Sequence, residues 1–110
     1  MEKRQLTIAQ YQSMVDSWIR RTGAGYFPAL TNMAVLAEEV GEVARVIART
    51  DGAQRPKAGE HLDLADELAD VIWVVAALAN QHGIDLTDAV HNNLRKKNVR
   101  DIERFSNPKD

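Results

Sequence analysis

The chain has 110 residues, 45% of them hydrophobic and 27% charged, with a formal net charge of −2 and no cysteine. That size predicts a single domain, 1–110, with an ordered core over about 6–105 and a polar tail beyond it, and the composition excludes an intrinsically disordered chain. The charge balance excludes nucleic acid and anionic membranes as expected partners, and the absence of cysteine excludes disulfides and thiolate metal sites.

Nothing after Met1 resembles a secretory signal core, and the longest apolar run, Val71 to Ala79, is too short to span a bilayer. A cytoplasmic protein is expected. A core this small also favours burial of further surface by self-association.

Periodicity predicts helices throughout. Thr7 is the N-cap of a first helix whose apolar positions Ile8, Tyr11, Val15, Trp18 and Ile19 step by three and four, which assigns Trp18 to the core. Gly23 and Gly25 end that helix, and Tyr26 and Phe27 follow, either as a lid or as a packing plug. A second helix is expected from Leu30 or Thr31 to about Ala48, with Met33, Leu36, Val40, Val43 and Ile47 on its inner side. Residues Thr50 to Glu60 form a polar loop. A third helix is expected over Asp63 to His82, and a fourth from the cap Asp85 through Leu86, Val90 and Leu94. The segment after Lys97 is basic and then polar, with Pro108 ending any order. Trp73 falls opposite the acidic strip, in a subunit interface or a second core face. His61, His82 and His91 lie near element ends and are assigned no chemistry.

The chemistry lies in acids. At about 100° per residue, Glu39 falls inside the apolar arc of the second helix and Glu42 at its edge, while Glu38 points further out. On the third helix Glu67 falls among Val71, Val74 and Leu78, with Asp70 beside it. Each pair, Glu39 with Glu42 and Glu67 with Asp70, is spaced i, i+3 and shares a face. Acidic pairs taken singly are most often solvated or weakly ion-paired. Here two inward pairs lie on neighbouring helices, and bases to neutralise them are scarce. Only Arg45 and Arg49 follow the acids in the second helix, and no base lies between Leu62 and Gln81. A hard divalent cation is the simplest counter-charge. All-carboxylate donors suit Mg²⁺ or Mn²⁺, whereas zinc and di-iron sites call for histidine or cysteine.

At these residues the chain resembles the MazG family of nucleoside triphosphate pyrophosphohydrolases, within the all-α NTP pyrophosphatase superfamily. The family pattern Glu-Glu-x-x-Glu, a gap, then Glu-x-x-Asp is present as Glu38-Glu39-x-x-Glu42 and Glu67-x-x-Asp70. Tyr26-Phe27, the run Ala65 to Val71 and the segment Lys96-Lys97-Asn98-Val99-Arg100-Asp101 resemble short bacterial single-domain members, so the likeness covers most of residues 5–105.

The resemblance implies an all-α fold of four to five helices, in which a central antiparallel helical hairpin is completed into a bundle by oligomerisation, as a dimer or tetramer. It implies Mg²⁺, with Mn²⁺ as a substitute, held by Glu39, Glu42, Glu67 and Asp70. Glu38 joins the catalytic acids as a further ligand or as the group that orients water. Lys96, Asn98 and Arg100, and behind them Lys97 and Arg104, become phosphate-side groups, although without the resemblance a basic helix end is the favoured reading. The implied reaction is hydrolysis of an NTP or dNTP between the α and β phosphates to a nucleoside monophosphate and pyrophosphate, in nucleotide house-cleaning. Two alternatives stay open: a related superfamily enzyme acting on another pyrophosphate such as phosphoribosyl-ATP, and a non-catalytic helical oligomerisation module.

Overall fold

The computed structural model describes residues 3–52 and 54–106. Four helices follow one another, α1 (Ile8–Arg21), α2 (Ala29–Thr50), α3 (Leu64–Gln81) and α4 (Leu86–Ser106), and no strand occurs among the described residues. The fold is all-α, as the periodicity predicts. None of these helices is long and apolar enough to cross a membrane.

The Thr7 and Asp85 caps sit where the sequence places them, and Asp63, expected as the start of the third helix, is its cap. Thr7 Oγ1 accepts from the Gln10 N–H at 3.0 Å and the Thr7 N–H donates to Gln10 Oε1 at 2.7 Å, a reciprocal box that starts α1. Asp63 accepts from the Asp66 N–H at the head of α3, and Asp85 accepts from Thr87 and Asp88 at the head of α4. Gly83, at φ 65°, takes the left-handed turn that ends α3. Helix α2 outruns its expected end at Ala48, and Thr50 Oγ1 donates to the Val46 carbonyl in the added turn. Helix α4 continues through the whole basic segment to Ser106. The expectation for Pro108 and the tail from 107 onward lies outside the described residues.

Helix α3 is the hub. It packs along α2 on one side and α1 on another, while α4 rests on α1. Three buried alanines on α3 (Ala76, Ala77 and Ala79) let neighbouring helices approach closely, and Val15 and Ile19 of α1 fill the cluster around Ala76 and Ala77. One side chain ties three elements together: Gln12 Nε2 donates to Asn80 Oδ1 (3.0 Å) and the Ile84 carbonyl (2.9 Å), and Gln12 Oε1 accepts from the Leu86 N–H (2.9 Å). The open end of the α2–α3 hairpin has its own tie. Buried Asn32 donates to Gln81 Oε1 (2.8 Å), and Gln81 Nε2 donates to the Phe27 carbonyl (2.6 Å).

Two expectations are corrected. Met33, Val40 and Ile47 do not face inward; they are 57%, 51% and 42% exposed, because α2 packs along α3 and the buried positions of α2 are Asn32 and Val46. Trp18 is not a core residue but 48% exposed. It meets Trp73 edge-on at 5.3 Å between ring centroids, and Trp73 also meets Tyr11 edge-on at 6.4 Å. Trp73 therefore belongs to the second core face, between α3 and α1. Tyr26 is a packing plug: its hydroxyl donates to Asp16, and the Arg20 guanidinium lies 5.6 Å from its ring centroid.

Candidate metal centre

Antiparallel packing of α2 on α3 sets Glu39 opposite the Glu67–Asp70 turn. One carboxylate oxygen from each of Glu39, Glu67 and Asp70 lies within 4.8 Å of the other two. Glu39 and Glu67 are half-buried. Burial, and then the negative charges of Asp70, Glu67, Glu38 and Glu42, push the Glu39 carboxyl above its ordinary range. The Tyr11 hydroxyl is raised too, chiefly by burial and then by the Asp70 charge. Among the described residues, no base forms an ion pair with any acid of the triad. Three converging hard oxygen donors without a protein cation fit Mg²⁺ or Mn²⁺, and the nearby donor set lacks the nitrogen or sulfur that zinc prefers.

Glu42 stands apart from the triad. Its Oε2 accepts from Arg45 Nε at 2.9 Å, an i, i+3 pair on α2. The scarcity of bases thus leaves the triad unpaired but not Glu42, because Arg45 follows it at the next turn. Arg45 Nη1 also donates to Glu60 Oε2 at 2.7 Å. Arg49 Nε lies 2.8 Å from Glu60 Oε1, an ionic contact too bent to count as a hydrogen bond. The Lys57 N–H and the two guanidinium groups hold the Glu60 carboxyl below its ordinary range, against the opposing effect of burial. Sequence reasoning missed this clasp. Its visible signal was Arg45 and Arg49 at i, i+4, sharing a face above a loop that contains one glutamate.

Glu38 is exposed, in keeping with its angular position. Lys96, Lys97, Asn98, Arg100 and Arg104 are all exposed on the second half of α4, a helix that packs chiefly on α1 and, through Leu86, on the cluster around Ala76 and Ala77. Glu39, Glu67 and Asp70 are brought together within one chain; among the described residues no ion pair joins Lys96 or Lys97 to them.

The raised Glu39 gives a signed pH dependence for the metal-free protein. Its neutral form is favoured in the folded state. The stability that this contributes is complete below the ordinary carboxyl value of 4.5 and is lost as pH rises through the higher folded value. With EDTA present, Glu39→Gln is therefore expected to gain in Tm over the wild type as pH rises from about 4 to about 7. A Tm difference that stays flat across that range would contradict the assignment.

The MazG nucleotide pyrophosphohydrolase domain matches residues 27–105, a span that holds both acidic pairs. YpjD of Bacillus subtilis (strain 168) is 37% identical over 101 residues, covering 91% of each chain. YvdC of the same strain is 25% identical over 92 residues, covering 77% of this chain and 87% of that one. The crystal structure of Bacillus subtilis YPJD matches with a TM-score of 0.75 at 35% identity, covering 86% of this chain and 97% of that one. The Bacillus-conserved MazG protein, a nucleotide pyrophosphohydrolase, matches with a TM-score of 0.71 at 35% identity, covering 86% and 92%. iMazG from Vibrio DAT 722 matches with a TM-score of 0.58 at 26% identity, covering 91% and 98%. These likenesses set aside the non-catalytic module. The chain is a hydrolase and belongs to the MazG nucleotide pyrophosphohydrolase family.

Proposed function

We propose that this protein hydrolyses nucleoside triphosphates, ribo or deoxy, between the α and β phosphates in a Mg²⁺-dependent reaction that yields a nucleoside monophosphate and pyrophosphate, as a step of nucleotide-pool house-cleaning. The observation that carries this reading is the triad Glu39, Glu67 and Asp70, whose carboxylate oxygens converge with no base ion-paired to them among the described residues. A triphosphate would be repelled by such a cluster unless positive charge lay between them. When bound, the divalent cation supplies that charge and Lewis acidity at the reacting phosphorus, with Mn²⁺ able to replace Mg²⁺.

The protein's own groups do the rest. Glu39, Glu67 and Asp70 hold the cation, and Glu42 joins them as the fourth acid of the pattern. Glu38, exposed beside Glu39, orients the attacking water and accepts its proton. Lys96, Asn98 and Arg100, with Lys97 and Arg104 behind them, neutralise the departing pyrophosphate as the basic set of a second copy, since α4 of the same chain packs chiefly on α1. Incubating the purified protein with Mg²⁺ and a nucleotide panel is expected to release pyrophosphate from at least one nucleotide. Orthophosphate as the first product would overturn the reading.

Self-association belongs to the same proposal. The chain exposes 8802 Å², whereas a compact monomer of 12.3 kDa exposes about 6,100 Å². Its radius of gyration is 18.1 Å against about 13 Å for a globular chain of this length. Met33, Val40 and Ile47, seven residues apart, form an uncovered apolar seam on α2 of the kind that a second helix covers. Sedimentation equilibrium is expected to give a dimer or tetramer, and a 12.3 kDa species at all micromolar concentrations would refute it.

A further inference from the structure

The charge clasp on the α2–α3 loop ends on the acidic strip itself. Arg45 grips Glu42 through Nε and Glu60 through Nη1, and Arg49 lies against the other Glu60 oxygen. The Glu60 and Arg49 side chains are only 13% and 16% exposed, so this end of the clasp is sheltered, while Glu42 is its most open member. The clasp is charge-balanced, two guanidinium groups for two carboxylates, in contrast to the triad next to it. Glu42 lies one turn from Glu39, yet its carboxylate is drawn to Arg45 and not to the triad. A carboxylate in a charge-assisted hydrogen bond has to give up that bond, or share it, before a second cation takes it.

We infer that Arg45 is a positioning residue that competes with the divalent cation for Glu42: it holds the fourth acid aside, and yields it when the cation binds while keeping its grip on Glu60. The inference rests on reading Glu42 as a metal ligand. The opposite role, in which Arg45 aims Glu42 at the cation, predicts the opposite sign. The Glu60 bond gives the guanidinium a second acceptor, which lowers the cost of releasing Glu42.

The test is Mn²⁺ binding without nucleotide, followed by electron paramagnetic resonance of the free ion, for wild type, R45Q, R45M, E42Q and the double variant E42Q/R45Q. R45M keeps an unbranched stem in place of the arginine one, and far-UV circular dichroism checks that each variant is folded. R45Q and R45M are expected to tighten Mn²⁺ binding about twofold to fivefold, the scale of one partly exposed ion pair. E42Q is expected to weaken binding, and R45Q is expected to change nothing further in the E42Q background. Weaker or unchanged binding in both Arg45 variants, with E42Q still weakening it, overturns the competition and leaves Glu42 a ligand. Equal tightening with and without Glu42 reduces Arg45 to a distant charge and also overturns it. Unchanged binding in E42Q removes Glu42 from the ligand set, and the inference fails with that reading.

Discussion

Glu67→Ala is expected to lower pyrophosphate release by more than about a hundredfold, since losing even an outer-shell partner of a metal ligand costs tenfold to a hundredfold. Glu67 supplies one of the three converging oxygens, and the substitution leaves one acid of the triad on each helix. The fold is expected to survive. Glu67 lies in the first turn of α3, where a negative charge gains about 0.3–1 kcal/mol from the helix dipole. Against that small loss, removing one of three crowded carboxylates relieves the repulsion that also raises Glu39. In EDTA the variant is therefore expected to melt within a few degrees of the wild type. With Mg²⁺ the two are expected to part: ligand binding to the folded state raises the wild-type Tm by mass action, and the variant loses most of that rise. Full activity in Glu67→Ala would remove the triad from the chemistry, and a collapsed far-UV spectrum would make Glu67 a structural residue.

Trp73→Ala is expected to have the largest effect on stability, about 3 kcal/mol, at the lower end of aromatic-to-alanine changes because the ring is only half-buried. Trp73 is the common partner of Tyr11 and Trp18 and closes the cluster built on Val15, Ile19, Ala76 and Ala77. Each edge-to-face pair adds about 0.5–1.5 kcal/mol beyond area burial, and both are lost together. For a domain whose whole stability is about 5–15 kcal/mol, that lowers Tm by more than about 10 °C. Near-UV circular dichroism is expected to weaken as α1 loosens from α3. Trp18→Ala, at an exposed ring with one aromatic partner, is expected to cost less than half as much. Equal costs at the two positions would mean that α1 is not held to α3 through Trp73.

Much of the architecture was legible because local chemistry decides it. Thr7, Asp63 and Asp85 cap helices whatever lies around them, and the angular positions of Glu39, Glu67 and Asp70 follow from helix geometry alone. What the sequence left open depended on neighbours. Periodicity shows that Met33, Val40 and Ile47 share an apolar face, but not that α3 covers a different one. Trp18 lies on an apolar stripe, yet Val15 and Ile19 reach the alanines of α3 first and leave its ring at the rim. Glu42 read as an equal partner of Glu39 because spacing cannot reveal that Arg45 draws it away. Glu60 sits in a segment without period, so nothing local marked it as the anchor of its loop.

The α2–α3 hairpin is fastened at both ends, by Asn32 and Gln81 near Phe27 and by Glu60 against Arg45 and Arg49. The mutually repelling acids stand between those fastenings, Glu39 in the middle of α2 and Glu67 and Asp70 in the first two turns of α3. Such a beam, pinned at its two supports, holds the repelling load between them without bowing outward. Exchange of loop residues other than Glu60 is then expected to leave the distances between the carboxylate oxygens unchanged.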